Sequence, residues 1–439
     1  MRKILRHTYS VCPVCLKRIP AVHAGYGKEV YLEKNCPEHG DFSAIIWRGL
    51  RDMEAWRGDV PPIAEGENEN CPHACGLCPD HKQDTCCVLL EVTKRCNLNC
   101  SFCFAEAGSG DDLSFETIRE HLRALAVPGK TLVQLSGGEP TVRDDLPQIV
   151  AAAKEAGCQY VQLNTNGIRL AEDEGFVRSL AEAGLSFVFM QFDGMHDGIY
   201  RTLRGRDLLD VNRRAIDNCA RHNLGVTLVP TLVPGVNTQD IGNIIRFAVS
   251  QSPAVRGVHF QPVSYFGRIP ALPSDDQRFT LDELLEAIQE QAGDLVPDDS
   301  LRPSRCDHPL CVFHGDYIVM PDQSLRPLHR TNKYRCATTT ADQNRSFIAR
   351  RWQRQKVEDA KEPESITDFD SFDNFLRRLR THSFTLTAMV FQDAGNLDLE
   401  RLRRCSLHVF DNGRFVPLCA YYLTCHMNDP SLEKELTAI

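Results

Sequence analysis

Nineteen cysteines stand in this 439-residue chain, and most of them fall in short clusters. Cys96, Cys100 and Cys103, in the run RCNLNCSFCF, have C-x3-C-x2-C spacing. Three thiolates so placed can hold three irons of a [4Fe–4S] cluster and leave the fourth iron without a protein ligand. An open iron can bind a small molecule through adjacent amine and carboxylate groups. Further along, SGGEP supplies a complementary group. Gly137 and Gly138 permit close backbone approach, and the Glu139 carboxylate can accept hydrogen bonds from an ammonium.

The other cysteines point to further metal. Cys71, Cys75 and Cys78 repeat the spacing, with Leu77 where the first cluster has Phe102, and Cys86 follows. Four cysteines close a [4Fe–4S] cluster completely, so these four read as an auxiliary cluster for electron transfer or structure. Cys12, Cys15, Cys36 and His39 form C-x2-C…C-x2-H, a tetrahedral set suited to zinc or to a rubredoxin-like mononuclear iron. Cys306, Cys311 and Cys336 would accommodate a second auxiliary cluster, with a fourth ligand drawn from Cys405, Cys419 or Cys425. Cys87, Cys158 and Cys219 read as packing residues.

Metal rather than disulfide is the expectation, because the basic start MRKILRHTYSVCPVC runs into no apolar export segment and the cytoplasm is reducing. The net charge of 50 − 59 = −9 argues against a protein that coats nucleic acid through bulk charge, and no apolar run is long enough to span a bilayer.

Elements must bring these groups together. Four regions are expected: a metal knuckle over 1–50, a polar linker and auxiliary segment over 51–87, an α/β unit over 88–300, and a C-terminal extension over 301–439. Within the α/β unit, β-branched and apolar runs at 88–93, 131–137, 160–166, 185–193, 225–233 and 255–263 alternate with helical patterns such as 114–126 and 146–157. A capping box at Thr280–Glu283 opens another helix. Six strands with intervening helices imply parallel βαβ units in an open or partly closed barrel. Ligands collect at the carboxyl ends of such strands, where both Cys96–Cys103 and SGGEP fall. The charged stretch 340–380 reads as a solvated helical excursion.

Taken together, C-x3-C-x2-C after the first strand and GGEP at the end of the second resemble the radical SAM superfamily. That resemblance implies a partial (βα)6 barrel in which the open iron chelates the methionine end of S-adenosylmethionine. An electron then cleaves the sulfonium to a 5′-deoxyadenosyl radical. By the same resemblance Cys96, Cys100 and Cys103 are the cluster ligands, Phe102 borders the adenine, and Gly137, Gly138 and Glu139 hold the methionyl amine. Asn164 in LNTNG and Gln191 with Asp193 in MQFDG fall where ribose and substrate contacts are expected.

The CPVC/CPEHG knuckle, CPHACGLC, QLNTNGIRLA, LVPTLVPGVN and QPVSYFGR narrow the resemblance. It is to the group holding archaeal tetraether lipid synthases and the methanopterin-pathway methyltransferases that act on a hydroxymethyl-dihydropterin. It spans most of residues 10–336, and the tail RCSLHVFDNGRFVPLCAYYLT looks similar too. Such enzymes form C–C bonds at unactivated carbon. For a methyltransferase the donor is of methylene-tetrahydropterin type, by a cobalamin-free route, since no D-x-H-x-x-G motif is present. For a lipid synthase two alkyl chains are coupled. Small-molecule or lipid substrate and an electron donor such as flavodoxin or ferredoxin are the implied partners. Arg201 and Arg204 could hold a substrate phosphate or carboxylate, or serve as solvated or sheet-capping side chains. Two other classes compete: a non-catalytic iron–sulfur electron carrier, against which GGEP argues, and a zinc-ribbon interaction protein.

Overall fold

The structure, a computed structural model, describes residues 1–60, 71–73, 75–103, 105, 107–108, 112–266, 272–329, 339–354 and 372–424. Cys336 and Cys425, the second half of the expected linker, and much of the charged 340–380 stretch lie outside them.

The N-terminal knuckle is a four-stranded antiparallel meander, β1 (Arg2–Val11), β2 (Arg18–Tyr26), β3 (Glu29–Cys36) and β4 (Gly40–Trp47). It is followed by a short helix, α1 (Met53–Arg57). Met53 and Trp56 are buried, and the Trp56 indole donates to the Pro309 carbonyl at 3.0 Å, so this part of the expected linker is packed. The sheet is pinned by a buried pair, His23 Nε2 and Asp398 Oδ2 at 2.9 Å, and by the Thr8 hydroxyl donating to Asp398 at 2.6 Å.

The strands of the α/β unit are β5 (Cys87–Thr93), β6 (Leu132–Gly137), β7 (Tyr160–Thr165), β8 (Phe187–Gln191), β9 (Gly225–Val229) with its short continuation β10 (Thr231–Leu232), and β11 (Val255–Pro262). Each falls within two residues of its expected span. Between them run α2 (Phe115–Leu125), α3 (Leu146–Glu155), α4 (Ile168–Glu172), α5 (Glu174–Glu182), α6 (Asp197–Arg204), α7 (Leu209–Arg221) and α8 (Ile241–Ser250), and α9 (Leu281–Ala292) follows the last strand. The capping box of α9 forms as expected, the Glu283 carboxylate accepting from Thr280 N at 2.8 Å and Thr280 Oγ1 at 2.7 Å.

Strands β5, β6, β7, β8, β9 and β11 pair in sequence order, all parallel. Their side chains alternate between two faces. Val133, Leu135, Val161, Leu163, Val188 and Met190 point outward, into one core with Ile118, Leu122 and Leu125 of α2. Each such side chain contributes about 1.5–3 kcal/mol on burial, so this face fixes the register. The intervening positions point inward and are mixed, with Leu132, Phe187, Phe189 and Val229 among Gln134, Ser136, Gln162, Asn164 and Gln191.

The extension is less separate than the sequence implies. After β12 (Arg302–Pro303), β13 (Val312–Val319), β14 (Leu325–Pro327), α10 (Ala341–Trp352) and α11 (Phe372–Thr381), strand β15 (Ser383–Met389) pairs in parallel with β11. After α12 (Leu399–Leu402), strand β16 (Leu407–Asp411) pairs in parallel with β5 at the opposite edge, followed by β17 (Arg414–Pro417) and α13 (Leu418–Thr424). The tail thus adds a strand to each edge of the six-stranded core. Its two arms meet where Asp307 Oδ1 accepts from Ser406 N at 2.8 Å and Ser406 Oγ at 2.7 Å. Helix α10 is packed rather than solvated, because Ala349 and Trp352 are buried against Phe187 and Phe189.

Candidate functional site

A cavity of about 590 Å³ opens at the carboxyl ends of the strands and runs down into the barrel. Cys96, Cys100, Phe102, Cys103, Gly137, Gly138, Glu139, Asn164 and Gln191 all line it. Strand alternation accounts for the floor, which takes Gln134 and Ser136 from β6, Gln162 and Asn164 from β7, His259 and Gln261 from β11, and Thr385 and Thr387 from β15.

The two glycines are required by the chain itself. Gly138 N donates to Thr93 O at 2.8 Å and Glu139 N to Arg95 O at 2.9 Å, tying the end of β6 to the cysteine loop. A Cβ on Gly137 would overlap the Thr93 carbonyl oxygen, one on Gly138 would overlap that of Arg95, and Gly137 has φ +120°. Only glycine lets the glutamate and the thiols come this close.

Glu139 is buried and held on four donors. Its Oε1 accepts from Thr141 N at 3.1 Å, Thr141 Oγ1 at 2.7 Å and Thr165 Oγ1 at 2.7 Å, and its Oε2 accepts from Asn166 N at 2.7 Å. Burial raises its pKa, against the pull of these donors. Oε1 is thus crowded by three donors, whereas Oε2 takes one and has a second lone pair for a donor in the cavity. Asn166 Nδ2 donates to Asn97 Oδ1 at 2.7 Å, linking the TNG turn to the cysteine loop.

Arg204, at the end of α6, completes the rim. It is buried and forks onto Asp193, Nε to Oδ2 at 2.7 Å and Nη2 to Oδ1 at 3.0 Å. Its Nη1 reaches Cys100 Sγ at 3.5 Å, and its guanidinium lies 4.9 Å from the Phe102 ring centroid. Asp193 therefore stands one layer behind the cavity wall, where it positions Arg204 and accepts from Thr231 N at 3.0 Å. Arg201 pairs instead with Asp207 at 2.5 Å on the surface. The run YRTLRGR does not reveal which arginine turns inward; helix phase decides it, with Ile199, Tyr200, Leu203 and Arg204 on the buried face.

The donor set fits an iron–sulfur centre. Burial pushes the Cys96 thiol up to about 11, and the charges of Glu139, Cys100 and Cys103 push the same way. Such a group ionises when a cation binds it. Arg204 supplies one positive charge at Cys100, and a bound iron centre would supply the rest.

The remaining cysteines sort by place. Cys12, Cys15, Cys36 and His39 bring their ligand atoms within 4.8 Å of one another, close enough to share one metal ion. Cys75 hydrogen-bonds Cys71 and lies within reach of the charges of Cys78 and Cys405. The hydrogen bond from Cys75 brings the Cys71 thiol down to about 7, with Arg403 and Arg18 assisting. Cys86 stands apart from these, beside Cys306. Cys311 accepts from Arg401 Nε at 3.2 Å. Cys158 and Cys219 are buried in the main core, whereas Cys87 faces the cavity beside Gln134.

Residues 90–248 match the model of the radical SAM superfamily. Over 95% of its length the chain is 33% identical to the 7,8-dihydro-6-hydroxymethylpterin dimethyltransferase of Methanocaldococcus jannaschii, covering 93% of that protein. The chain belongs to the radical SAM superfamily. Within it, the group is that of the methanopterin-pathway dihydropterin methyltransferase, and residues 4–48 match the HMPTM N-terminal zinc ribbon domain. The Fe-coproporphyrin III synthase of Methanosarcina barkeri is 30% identical over 51% of this chain and 56% of its own length. The solved structure of methylornithine synthase aligns with a TM-score of 0.39 at 17% identity, over 47% of this chain and 62% of that one. Among the described residues, no helix is long and apolar enough to cross a membrane.

Proposed function

We propose that this chain is a cytoplasmic radical SAM methyltransferase that forms a C–C bond on a small hydrogen-bonding molecule of the dihydropterin class, with a methylene-tetrahydropterin type donor. The observation that carries the proposal is one cavity lined at its rim by three thiols and a carboxylate, and on its floor by strand-borne polar side chains. The name of the Methanocaldococcus relative supports the pterin.

Bound at the rim, a [4Fe–4S] cluster and S-adenosylmethionine supply reductive cleavage of the sulfonium. The chain's own residues do the rest. Cys96, Cys100 and Cys103 anchor the metal, and Arg204 offsets the charge gathered at Cys100. Glu139 receives the ammonium of the methionyl group on its spare Oε2 position, while Thr141, Thr165 and Asn166 hold that carboxylate still. Asn164 and Gln191 face the same space from adjacent strands. The enclosing strands keep water from the reacting carbon. Cys71, Cys75 and Cys78, with Cys405 in place of Cys86 as fourth ligand, form an auxiliary cluster in this account. Cys86 and Cys306 belong to another. Zinc occupies the knuckle, and a ferredoxin or flavodoxin delivers electrons.

Leu132, Phe189, Val229, Ile348 and Trp352 give the cavity apolar walls, but coupling of lipid chains would leave the Gln, Asn, His and Thr side chains of the floor without partners, and these favour a hydrogen-bonding ligand. The test is anaerobic turnover of 6-hydroxymethyl-7,8-dihydropterin with S-adenosylmethionine, dithionite and a methylene donor labelled with carbon-13. Label in the methylated pterin is expected. Methylated pterin that carries no label, or an unchanged pterin, would overturn the proposal.

A further inference from the structure

Deep in the cavity lies a carboxylate that nothing above uses. Asp316 is on β13, whose antiparallel register with β15 pairs Val312 with Met389, His314 with Thr387 and Asp316 with Thr385. Met389 is the carboxyl end of β15, so Asp316 sits four residues below the rim, roughly 13 Å at about 3.3 Å per residue. The side chain is 5% exposed. Its Oδ1 is buried and has no hydrogen-bond partner among the described residues. Arg351 Nε forms a long ion pair with the same oxygen at 3.9 Å, beyond hydrogen-bond range, and Arg302 lies near enough to act on its charge.

The threonines beside it on β15 are already occupied. The Trp352 indole donates to Thr385 Oγ1 at 3.0 Å, and His259 Nδ1 bonds Thr387 Oγ1 at 2.8 Å. Burial pushes Asp316 up to about 6, against the pull of Arg351 and Arg302. A buried carboxylate oxygen without a hydrogen-bond donor costs free energy, only partly offset by a long ion pair, that a ligand bearing N–H groups would recover. Two adjacent N–H donors in a fork suit it best, and that is the edge of an amidine or guanidine. The flat walls are aromatic. Phe189 and Trp352 have ring centroids 4.6 Å apart, and both line the cavity beside His259. They suit a planar ring system.

Resting on the function proposed above, we infer that Asp316 is the substrate-orienting residue. It grips the ring N–H and exocyclic amino group of an aminopyrimidinone edge, so that the far end of the heterocycle points up toward the cysteine loop. His259 and Trp352 flank the ring as positioning residues.

The test is binding of 6-hydroxymethyl-7,8-dihydropterin to the full-length, anaerobically prepared protein, followed by quenching of tryptophan fluorescence. A second probe is the same heterocycle with oxygen in place of the exocyclic amine. The wild type is expected to prefer the amino compound by 30-fold or more, and Asp316→Asn to lose that preference while binding both weakly. The analogue comparison on wild type needs no variant, so a poorly folding D316N leaves the inference testable. Equal binding of the two compounds by wild type, or an Asp316→Asn protein that still discriminates, overturns the inference and leaves the methyltransferase proposal standing. Absence of any pterin binding by wild type overturns both.

Discussion

Replacing Glu139 with glutamine separates what that residue does for the fold from what it does for a ligand. In the free protein Oε1 takes three donors and Oε2 takes one. An amide serves the three with its oxygen, but its nitrogen then faces Asn166 N–H across the 2.7 Å now spanned by a hydrogen bond. Losing that bond costs about 1–3 kcal/mol. Removing a buried charge offsets part of it, because burial is the main influence on this carboxyl. Stability of the ligand-free protein should therefore fall by no more than about 2 kcal/mol in denaturant titration. Ligand binding should suffer more. An ammonium paired with a desolvated carboxylate loses about 2–4 kcal/mol when the carboxylate becomes an amide, or roughly 30- to 1000-fold in affinity. Anaerobic equilibrium dialysis with radiolabelled S-adenosylmethionine measures this directly, and an analogue lacking the amine should bind wild type and Glu139→Gln alike. Affinity for S-adenosylmethionine within threefold of wild type would refute the assignment of Oε2 to the ammonium.

Two further outcomes follow from buried charge. Arg204→Met strands Asp193, whose side chain is 1% exposed and keeps only Thr231 N as a donor, so the variant should lose about 3–5 kcal/mol of stability. Adding Asp193→Asn should recover more than 1 kcal/mol of this, whereas strictly additive losses would show that the pair is not coupled. His259 and His314 are both held down to about 4 by burial, and nearby arginines also lower His314. Their folded pKa values lie below the ordinary 6.5, so the unfolded chain binds more protons between those limits. Stability is complete above about pH 6.5 and falls as the pH drops toward 4, by up to about 1.4 kcal/mol per pH unit for each histidine. Comparing urea midpoints at pH 7 and pH 5, His259→Gln should shrink the difference, and an unchanged difference would contradict it.

Much of this site is legible in the chain because its chemistry is local. The three thiols of Cys96–Cys103 and the Gly-Gly-Glu turn are each set by neighbours a few residues away, and parallel βα order then brings them to one rim. The polar floor follows from alternation within the strands (Gln134 and Ser136, Gln162 and Asn164, His259 and Gln261), and strand boundaries read from the sequence do not pick it out. Long-range pairing is another matter. Nothing near Leu407 announces that it will pair with Cys87, nor that Ser383–Met389 will extend the sheet beyond Val255–Pro262. For the same reason nothing within the segment 71–86 announces that Cys405 comes near enough to act on Cys75 or that Cys86 hydrogen-bonds with Cys306. Asp193 shows the limit within a motif. It closes the strand-end run MQFD as expected, but the buried face of α6 supplies an arginine that claims both its oxygens.

The central claim is that Cys96, Cys100 and Cys103 hold a centre that S-adenosylmethionine contacts directly. Electron paramagnetic resonance of the reduced, anaerobic, iron-loaded protein, recorded with and without S-adenosylmethionine, tests it. The account predicts a signal that shifts on addition in wild type and in Cys71→Ala, and no shift in Cys96→Ala. A wild-type spectrum indifferent to the sulfonium, or a shift that survives in Cys96→Ala, would contradict it.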